Sequence, residues 1–327
     1  MDDIPAFTGY DSVRFHARGG SAVVWRARQI SLDREVAIKE LLPELCGGDD
    51  SVARFLAEAR VLARMAHPNI VRCIDAFQHG GRLCFVMEFI EAGTIAELCG
   101  SLGERECLAI ANVVASALDY AWTRHGTIHC DIKPANIMIA SDGVVKITDF
   151  GISQSLSTST LNAESGEIEI FGTPYYMSPE QVSGSQELGI QTDMYSLGAT
   201  LYYCVSGRKL FHDLDSDSAM DAQVAGRCPD LADLVPSLSL PFCAFIEKLL
   251  AKSPSSRYAN WGEISAEIRS ILSGRTLIHG ELDPRHAIST IERGAARPAP
   301  PSFPPATFSR NIFGKFASRL RNHRQTP

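Results

Sequence analysis

The run His129-Cys130-Asp131-Ile132-Lys133-Pro134-Ala135-Asn136, with Asp149-Phe150-Gly151 further along, sets a carboxylate, a cation, an amide and a second carboxylate in a fixed order. A phosphoryl group in transfer spreads negative charge over its oxygens and needs cations around it. Asp149 and Asn136 offer hard oxygen ligands of the kind Mg²⁺ takes, with waters completing its shell. Asp131 suits the acceptance of a hydroxyl proton, and Lys133 suits a place facing the γ-phosphate of a nucleotide. A surface Asp, a capping Asn and an ordinary turn would have to reproduce the whole spacing by chance.

Such side chains act together only if the chain between them folds back. Between Asn136 and Asp149 lie Ile137-Met138-Ile139, then Ser141-Asp142-Gly143, then Val144-Val145-Lys146-Ile147. Two apolar runs around an Asp-Gly turn predict a β-hairpin, which carries Asn136 and Asp149 on its two outer ends. Upstream, Val36-Ala37-Ile38-Lys39 alternates as a half-buried strand does. Val52, Phe55, Leu56, Ala59, Leu62, Ala63 and Ala66 recur at helical spacing, with Asp50 or Ser51 to cap the helix. Glu58 lies near that apolar stripe, where a carboxylate is costly unless paired. An intrahelical pair with Arg54 or with neighbours of Arg60 is one way to satisfy it.

These segments together resemble the eukaryotic-type serine/threonine protein kinases, from about Tyr10 to about Leu272. The resemblance implies an α+β, two-lobed protein kinase-like fold. A small β-rich N-lobe with one long helix (about 10–90) would precede a larger, mainly helical C-lobe (about 91–272). ATP and Mg²⁺, with Mn²⁺ as a substitute, would lie in the cleft between them. By the same resemblance Lys39 holds the α- and β-phosphates and Glu58 is its partner. Glu40 and Glu44 are nearer in sequence but do not match the family position. Asp131 becomes the base, Lys133 stabilises the moving phosphoryl group, and Asn136 and Asp149 are the metal ligands. Met87 guards the back of the adenine pocket, and backbone groups of Glu88 and Ile90 meet the adenine edge. Val23 and Ala37 cover its face and Met138 supplies the floor. Phe171-Gly172-Thr173-Pro174 and Met177-Ser178-Pro179-Glu180 resemble the end of an activation segment. Asp193 would hold the catalytic-loop backbone, and Arg257 would pair with Glu180.

Two departures from the family pattern stand out. The phosphate-covering loop, usually Gly-x-Gly-x-x-Gly, reads Ala17-Arg18-Gly19-Gly20-Ser21-Ala22-Val23, so its first and third glycines are alanine. Alanine serves there if φ stays negative. The second departure is Cys130, where most members carry Arg before the catalytic Asp; the thiol is either a half-buried inert group or a redox-sensitive one. The segment from Asp149 to Glu180 holds Ser153, Ser155, Ser157, Thr158, Ser159, Thr160 and Ser165 but neither Lys nor Arg. Ordering a loop by phosphate needs a cation to meet the new charge. Activity is therefore expected without strict dependence on phosphorylation of that segment. Lys133, with Thr173 before Pro174, places the chain on the serine/threonine branch, with protein acceptors and the chain itself as substrates. The competing readings are a nucleotide-binding scaffold that has lost transfer, which the altered glycine loop favours, and a small-molecule kinase, which the Gly172–Glu180 segment disfavours.

Bulk properties agree. A length of 327 residues with 45% hydrophobic content allows one two-lobed unit plus an extension. Nine scattered cysteines without a C-x-x-C pair read as reduced thiols of a cytoplasmic protein. No apolar stretch approaches the ~20 residues of a membrane span, and the acidic start reads as no signal segment. Residues 1–9 form a short extension, and 273–294 a second extension expected to be largely irregular. Prolines at 298, 300, 301, 304 and 305 then mark a stiff linker into a tail spanning 295–327. From Arg293 onward there are seven basic residues and no acidic one. Phe308, Ile312, Phe313, Phe316 and Leu320 fall at helical spacing there, interrupted by Gly314. The tail is read as disordered, as docking on this or another protein, or as attaching peripherally to a membrane surface. No fold signal favours nucleic acid.

Overall fold

Period-two alternation in the first ninety residues builds an antiparallel sheet of β1 (Tyr10–Arg18), β2 (Ala22–Gln29), β3 (Arg34–Leu41), β4 (Cys73–His79) and β5 (Arg82–Glu88), in the spatial order β1-β2-β3-β5-β4. The computed structural model describes residues 4–43, 46, 51–150, 173–280 and 290–292, with 313, 314, 317 and 320. Expectations that fall on Glu44, Asp50, Gly151, the Ser/Thr cluster of 153–165, Phe171, Gly172, Phe308, Ile312, Phe316 and the tail's basic residues lie outside these residues, as do the side chains of Ser51 and Arg54. The chain divides into two compact units, Met1–Glu91 and Ala92–Pro327.

In the first unit one sheet face is the core. Val23, Trp25, Ala27, Val36, Ile38, Cys84 and Val86 pack there with Phe7. Glu40 lies on the same side, where Trp25 Nε1 donates to it at 3.0 Å and Arg82 pairs with it at 3.3 Å. The other face carries Ala37 and Lys39, paired across to Met87 and Phe85. Helix α1 (Ser51–Arg64) packs on that sheet, with Phe55 and Phe85 ring centroids 4.3 Å apart. Phe55 and Ala59 are buried, whereas Val52 and Ala63 are exposed and the helix stops before Ala66.

The second unit opens with β6 (Ala92–Thr94) and continues into α2 (Glu104–His125). Glu104 and Glu106 in its first turn and Arg124 and His125 in its last complement the helix dipole, and Gly126 ends it in the left-handed conformation at φ 62°. The expected hairpin follows as β7 (Ile137–Ala140) and β8 (Val145–Ile147), giving a sheet in the order β6-β7-β8. Helices α3 (Pro179–Val182), α4 (Ile190–Ser206), α5 (Ser216–Ala225), α6 (Leu231–Leu234), α7 (Leu240–Leu249) and α8 (Trp261–Leu272) complete it. Gly198 lets α4 and α7 touch, since a Cβ there would lie 2.9 Å from that of Leu249. Within the extension read as irregular, β10 (Ile291–Glu292) pairs in parallel with β9 (Cys228–Pro229).

Candidate functional site

The buried helix α4 carries Asp193 in its first turn, and this residue sets the loop that precedes β7. Its Oδ2 accepts from the His129 amide and its Oδ1 from the Cys130 amide, both at 2.7 Å. Two backbone donors are thus fixed by one carboxylate, as the sequence leads one to expect. Burial pushes that carboxyl up, against the pull of His129 and the two N–H bonds. His129 is pinned at both ring nitrogens. Nε2 bonds the Thr148 carbonyl at 2.9 Å, while Nδ1 accepts from the Asp131 amide at 3.2 Å, so the proton sits on Nε2. Cys130 takes φ 65°, and Asp149 also takes φ 65°. Two non-glycine residues in the left-handed region within one loop cluster are a common signature of a functional site.

Around Asp131 the polar groups converge. Lys133 Nζ lies 2.7 Å from Asp131 Oδ2 and donates to Thr173 Oγ1 at 2.8 Å. Asn136 Nδ2 donates to the Asp131 backbone oxygen at 2.8 Å and to Asp131 Oδ2 at 3.0 Å. Those bonds turn the amide so that Oδ1 faces away from Asp131. The hairpin does the rest: Ile137 opposes Ile147, and the Thr148 amide donates to the Asn136 carbonyl at 2.9 Å. Asn136 and Asp149 are therefore neighbours at its open end. Both residues carry hard oxygens of the type a divalent cation takes.

The segment after Thr173 is tied to this loop. Gln181 Nε2 donates to the Cys130 carbonyl at 2.8 Å. Arg257 grips Glu180 through two bonds of 2.7 and 2.9 Å. Burial alone would raise the Glu180 carboxyl, yet the Arg257 hydrogen bonds and charge carry it below its ordinary value. Burial, with the Asp193 and Asp131 charges, pushes the Cys130 thiol well up, the environment of an inert cysteine.

In the first unit Lys39 is buried on β3 beside Phe85, and Phe55 packs its ring against Phe85 at a tilt of 48° one turn before Glu58. Lys39 and Glu58 therefore rise from facing sides of the same small region. Glu88 donates its amide to the Arg72 carbonyl at 3.0 Å, in the strand that holds Met87, and Ile90 is buried just beyond it. Met138 is half-buried on β7, opposite Thr94 and Lys146. The loop of Ala17, Arg18, Gly19, Gly20, Ser21 and Ala22 closes the β1–β2 hairpin, with the Gly19 amide bonding the Ala22 carbonyl at 2.9 Å. Ala17 and Ala22 sit in paired, extended strand, and neither Gly19 nor Gly20 has positive φ. Alanine is therefore accommodated without strain, and the argument for a scaffold without activity loses its support.

One residue needs correcting. Val23 pairs with Glu40 and packs in the core on the face away from Ala37 and Lys39. Val24 pairs with Lys39 and shares its face, so the face expected of Val23 is taken by Val24. Sequence reasoning also did not find the bond from Thr173 to Lys133 or that from Gln181 to Cys130; no spacing rule encodes either.

Comparison with known proteins agrees with this geometry. Residues 10–268 match the family described as "Protein kinase domain". The chain belongs to the protein kinase family. It is 33% identical over 289 residues to the probable serine/threonine-protein kinase PknB of Bifidobacterium longum, covering 84% of this chain and 41% of that protein. It is 34% identical over 304 residues to the serine/threonine-protein kinase PknJ of Mycobacterium tuberculosis, covering 90% of this chain and 50% of that one. The chain thus spans half or less of the length of these relatives. The crystal structure of the Mycobacterium tuberculosis PknI kinase domain superposes with a TM-score of 0.65 at 25% identity, over 82% of this chain and 98% of that one. Membership implies ATP and a divalent metal ion. Among the described residues no helix is long and apolar enough to cross a membrane.

Proposed function

We propose that this chain is a serine/threonine protein kinase that moves the γ-phosphoryl group of Mg²⁺-ATP to hydroxyls of proteins, itself included. The bonded set of Asp131, Lys133, Asn136 and Thr173, hung from Asp193, carries the reading. Bound Mg²⁺ supplies charge neutralisation on the phosphates. Asn136 Oδ1 and the Asp149 carboxylate are the oxygens proposed to hold it. Asp131 orients the acceptor hydroxyl and takes its proton. Lys133, already beside Asp131, meets the charge on the phosphoryl group. Lys39, backed by Glu58, fixes the α- and β-phosphates of the same nucleotide. Met87, Glu88, Ile90, Ala37, Val24 and Met138 are proposed to surround the adenine.

Residues 10–272 are proposed as the catalytic domain, flanked by extensions at 1–9 and 273–294. For the tail from 295 we adopt docking on this same chain over a membrane surface, because Phe313, Ala317 and Leu320 are 5%, 0% and 1% exposed. The test of activity is transfer of label from ATP, with Mg²⁺, to a generic basic protein and to the chain itself, followed by identification of the labelled residues. Label on Ser or Thr, lost in Asp131→Asn, is the expected result. An Asp131→Asn chain with full activity would remove Asp131 from the role given to it.

A further inference from the structure

Two stretches past residue 268, where the family match ends, are seated on the second unit, and the transfer site uses neither. The first is β10. Ile291 lies opposite Cys228, the Cys228 amide donates to the Thr290 carbonyl, and the fully buried Thr290 hydroxyl donates to the Leu250 carbonyl. The second is the end of the tail. Gly314, Ala317 and Leu320 are helical, and the Ala317 amide donates to the Phe313 carbonyl at 2.9 Å. Residues 293–312 between the two seats can reach roughly 70 Å, so chain length is no obstacle to both being made at once.

Two glycines receive the tail. A Cβ on Gly143, in the β7–β8 turn, would lie 3.3 Å from the Gly314 nitrogen, and one on Gly93, in β6, would lie 3.0 Å from Leu320 Cδ2. The side of contact follows from strand pairing. Gly93 opposes Ile139, and paired residues point the same way. Ile139 and Ile137 are fully buried on that side, while Met138 points to the other. Leu320 therefore meets the back of the small sheet, with Met138 on its front.

We propose that Thr290–Glu292 and the helical segment bearing Phe313, Gly314, Ala317 and Leu320 are two seats of one strap in cis, whose far seat braces the back of the β6-β7-β8 sheet and steadies Met138 and Asn136 from behind. The occupant is this chain's own segment: its apolar residues recur at i, i+4 and i+7, and the two glycines leave the room it fills. The effect on nucleotide binding rests on the kinase reading; the docking does not.

Hydrogen exchange on the full chain tests the docking directly. In the wild type the Ala317 amide is expected to be protected, and in Leu320→Asp exchange at 92–94 and 137–147 is expected to rise about tenfold or more. Leu320→Ala should give a smaller rise, and the KM for ATP should climb in the same order. A peptide of residues 307–327 added to Leu320→Asp leaves the charge in place but offers a second copy, and should restore protection. Tail amides that exchange as an unstructured peptide does in the wild type would overturn the strap. So would protection lost when anionic phosphatidylserine vesicles are added, which would mean that lipid takes the apolar face. An inactive wild type with intact protection would sink the kinase reading and leave the strap standing.

Discussion

At the scale of single residues the site depends on a few buried polar atoms with no alternative partner of equal strength. Asp193 holds two amides of the loop that carries Asp131. Asp193→Ala leaves both buried donors unmet, at a cost of about 2–6 kcal/mol. The expected outcome is a drop in unfolding midpoint in urea together with lost transfer. Asp131→Asn keeps an oxygen acceptor for Asn136 but removes the base and the charge that faces Lys133, so kcat should fall about 10²–10⁴-fold while the unfolding midpoint moves little. Arg257→Ala leaves the partly buried Glu180 carboxylate without its counter-charge, with the Thr192 hydroxyl still donating to it, and should cost roughly 3 kcal/mol. The Glu180 carboxyl also gives a pH signature. Its folded value lies below the ordinary 4.5, so its contribution is complete above pH 4.5 and disappears as pH falls through the folded value. Thermal midpoints followed down from pH 6 should therefore drop more steeply in the wild type than in Glu180→Gln. Parallel curves would mean that this pair does not set acid stability. The convergence of Asp131, Lys133, Asn136 and Asp149 was legible in the sequence because the roles proposed for them need fixed chemical types at fixed intervals. The Thr173 hydroxyl was not, since any small donor or acceptor reached through a long loop could sit there.

Among elements, the β1–β2 hairpin shows how a departure from a pattern is absorbed. Glycine is needed where φ is positive or a backbone must approach closely, and Ala17 and Ala22 meet neither condition. Ala22→Gly should therefore lower stability by about 0.5–1 kcal/mol without tightening ATP, checked by chemical denaturation beside nucleotide titration. Tighter binding would show that the loop, as built, is a poor cradle. The same hairpin produced the one misplaced site residue. Side chains in a strand alternate with period two, so a slip of one position between Val23 and Val24 exchanges the core face for the site face. Both residues are valine, and composition could not separate them; only the register against Lys39 does. The hairpin around Asp142-Gly143 was easier, because Gly143 adopts φ 84° and the two flanking runs are strongly apolar. Helix α1 was read two residues too long at its end, since Ala66 continues the apolar spacing after the helix has stopped at Arg64.

For the molecule as a whole, the sequence shows two regimes, a pattern-rich stretch to about 272 and a basic, proline-marked remainder. The spacing of Phe313 and Leu320 announced an apolar stripe, but its seat was hidden: the receiving residues are two glycines, Gly93 and Gly143, which carry no side chain to signal a partner. The chain divides into two compact units, and Lys39 belongs to one, Asn136 and Asp149 to the other. A ligand that binds only the folded chain stabilises it by RT ln(1 + [L]/Kd), about 2.7 kcal/mol at a hundredfold excess over Kd. If one nucleotide draws on both units, a non-hydrolysable ATP analogue with Mg²⁺ should raise the thermal midpoint, and both Lys39→Met and Asp149→Asn should cut that rise severely. EDTA should mimic Asp149→Asn, since that variant acts through the metal, but should add little to it. A shift abolished by Lys39→Met and untouched by Asp149→Asn or EDTA would confine binding to the first unit. The reverse pattern would confine it to the second. Only the joint loss is what transfer requires, because the residues that position the phosphates and those proposed to hold the metal must act on the same molecule at the same moment.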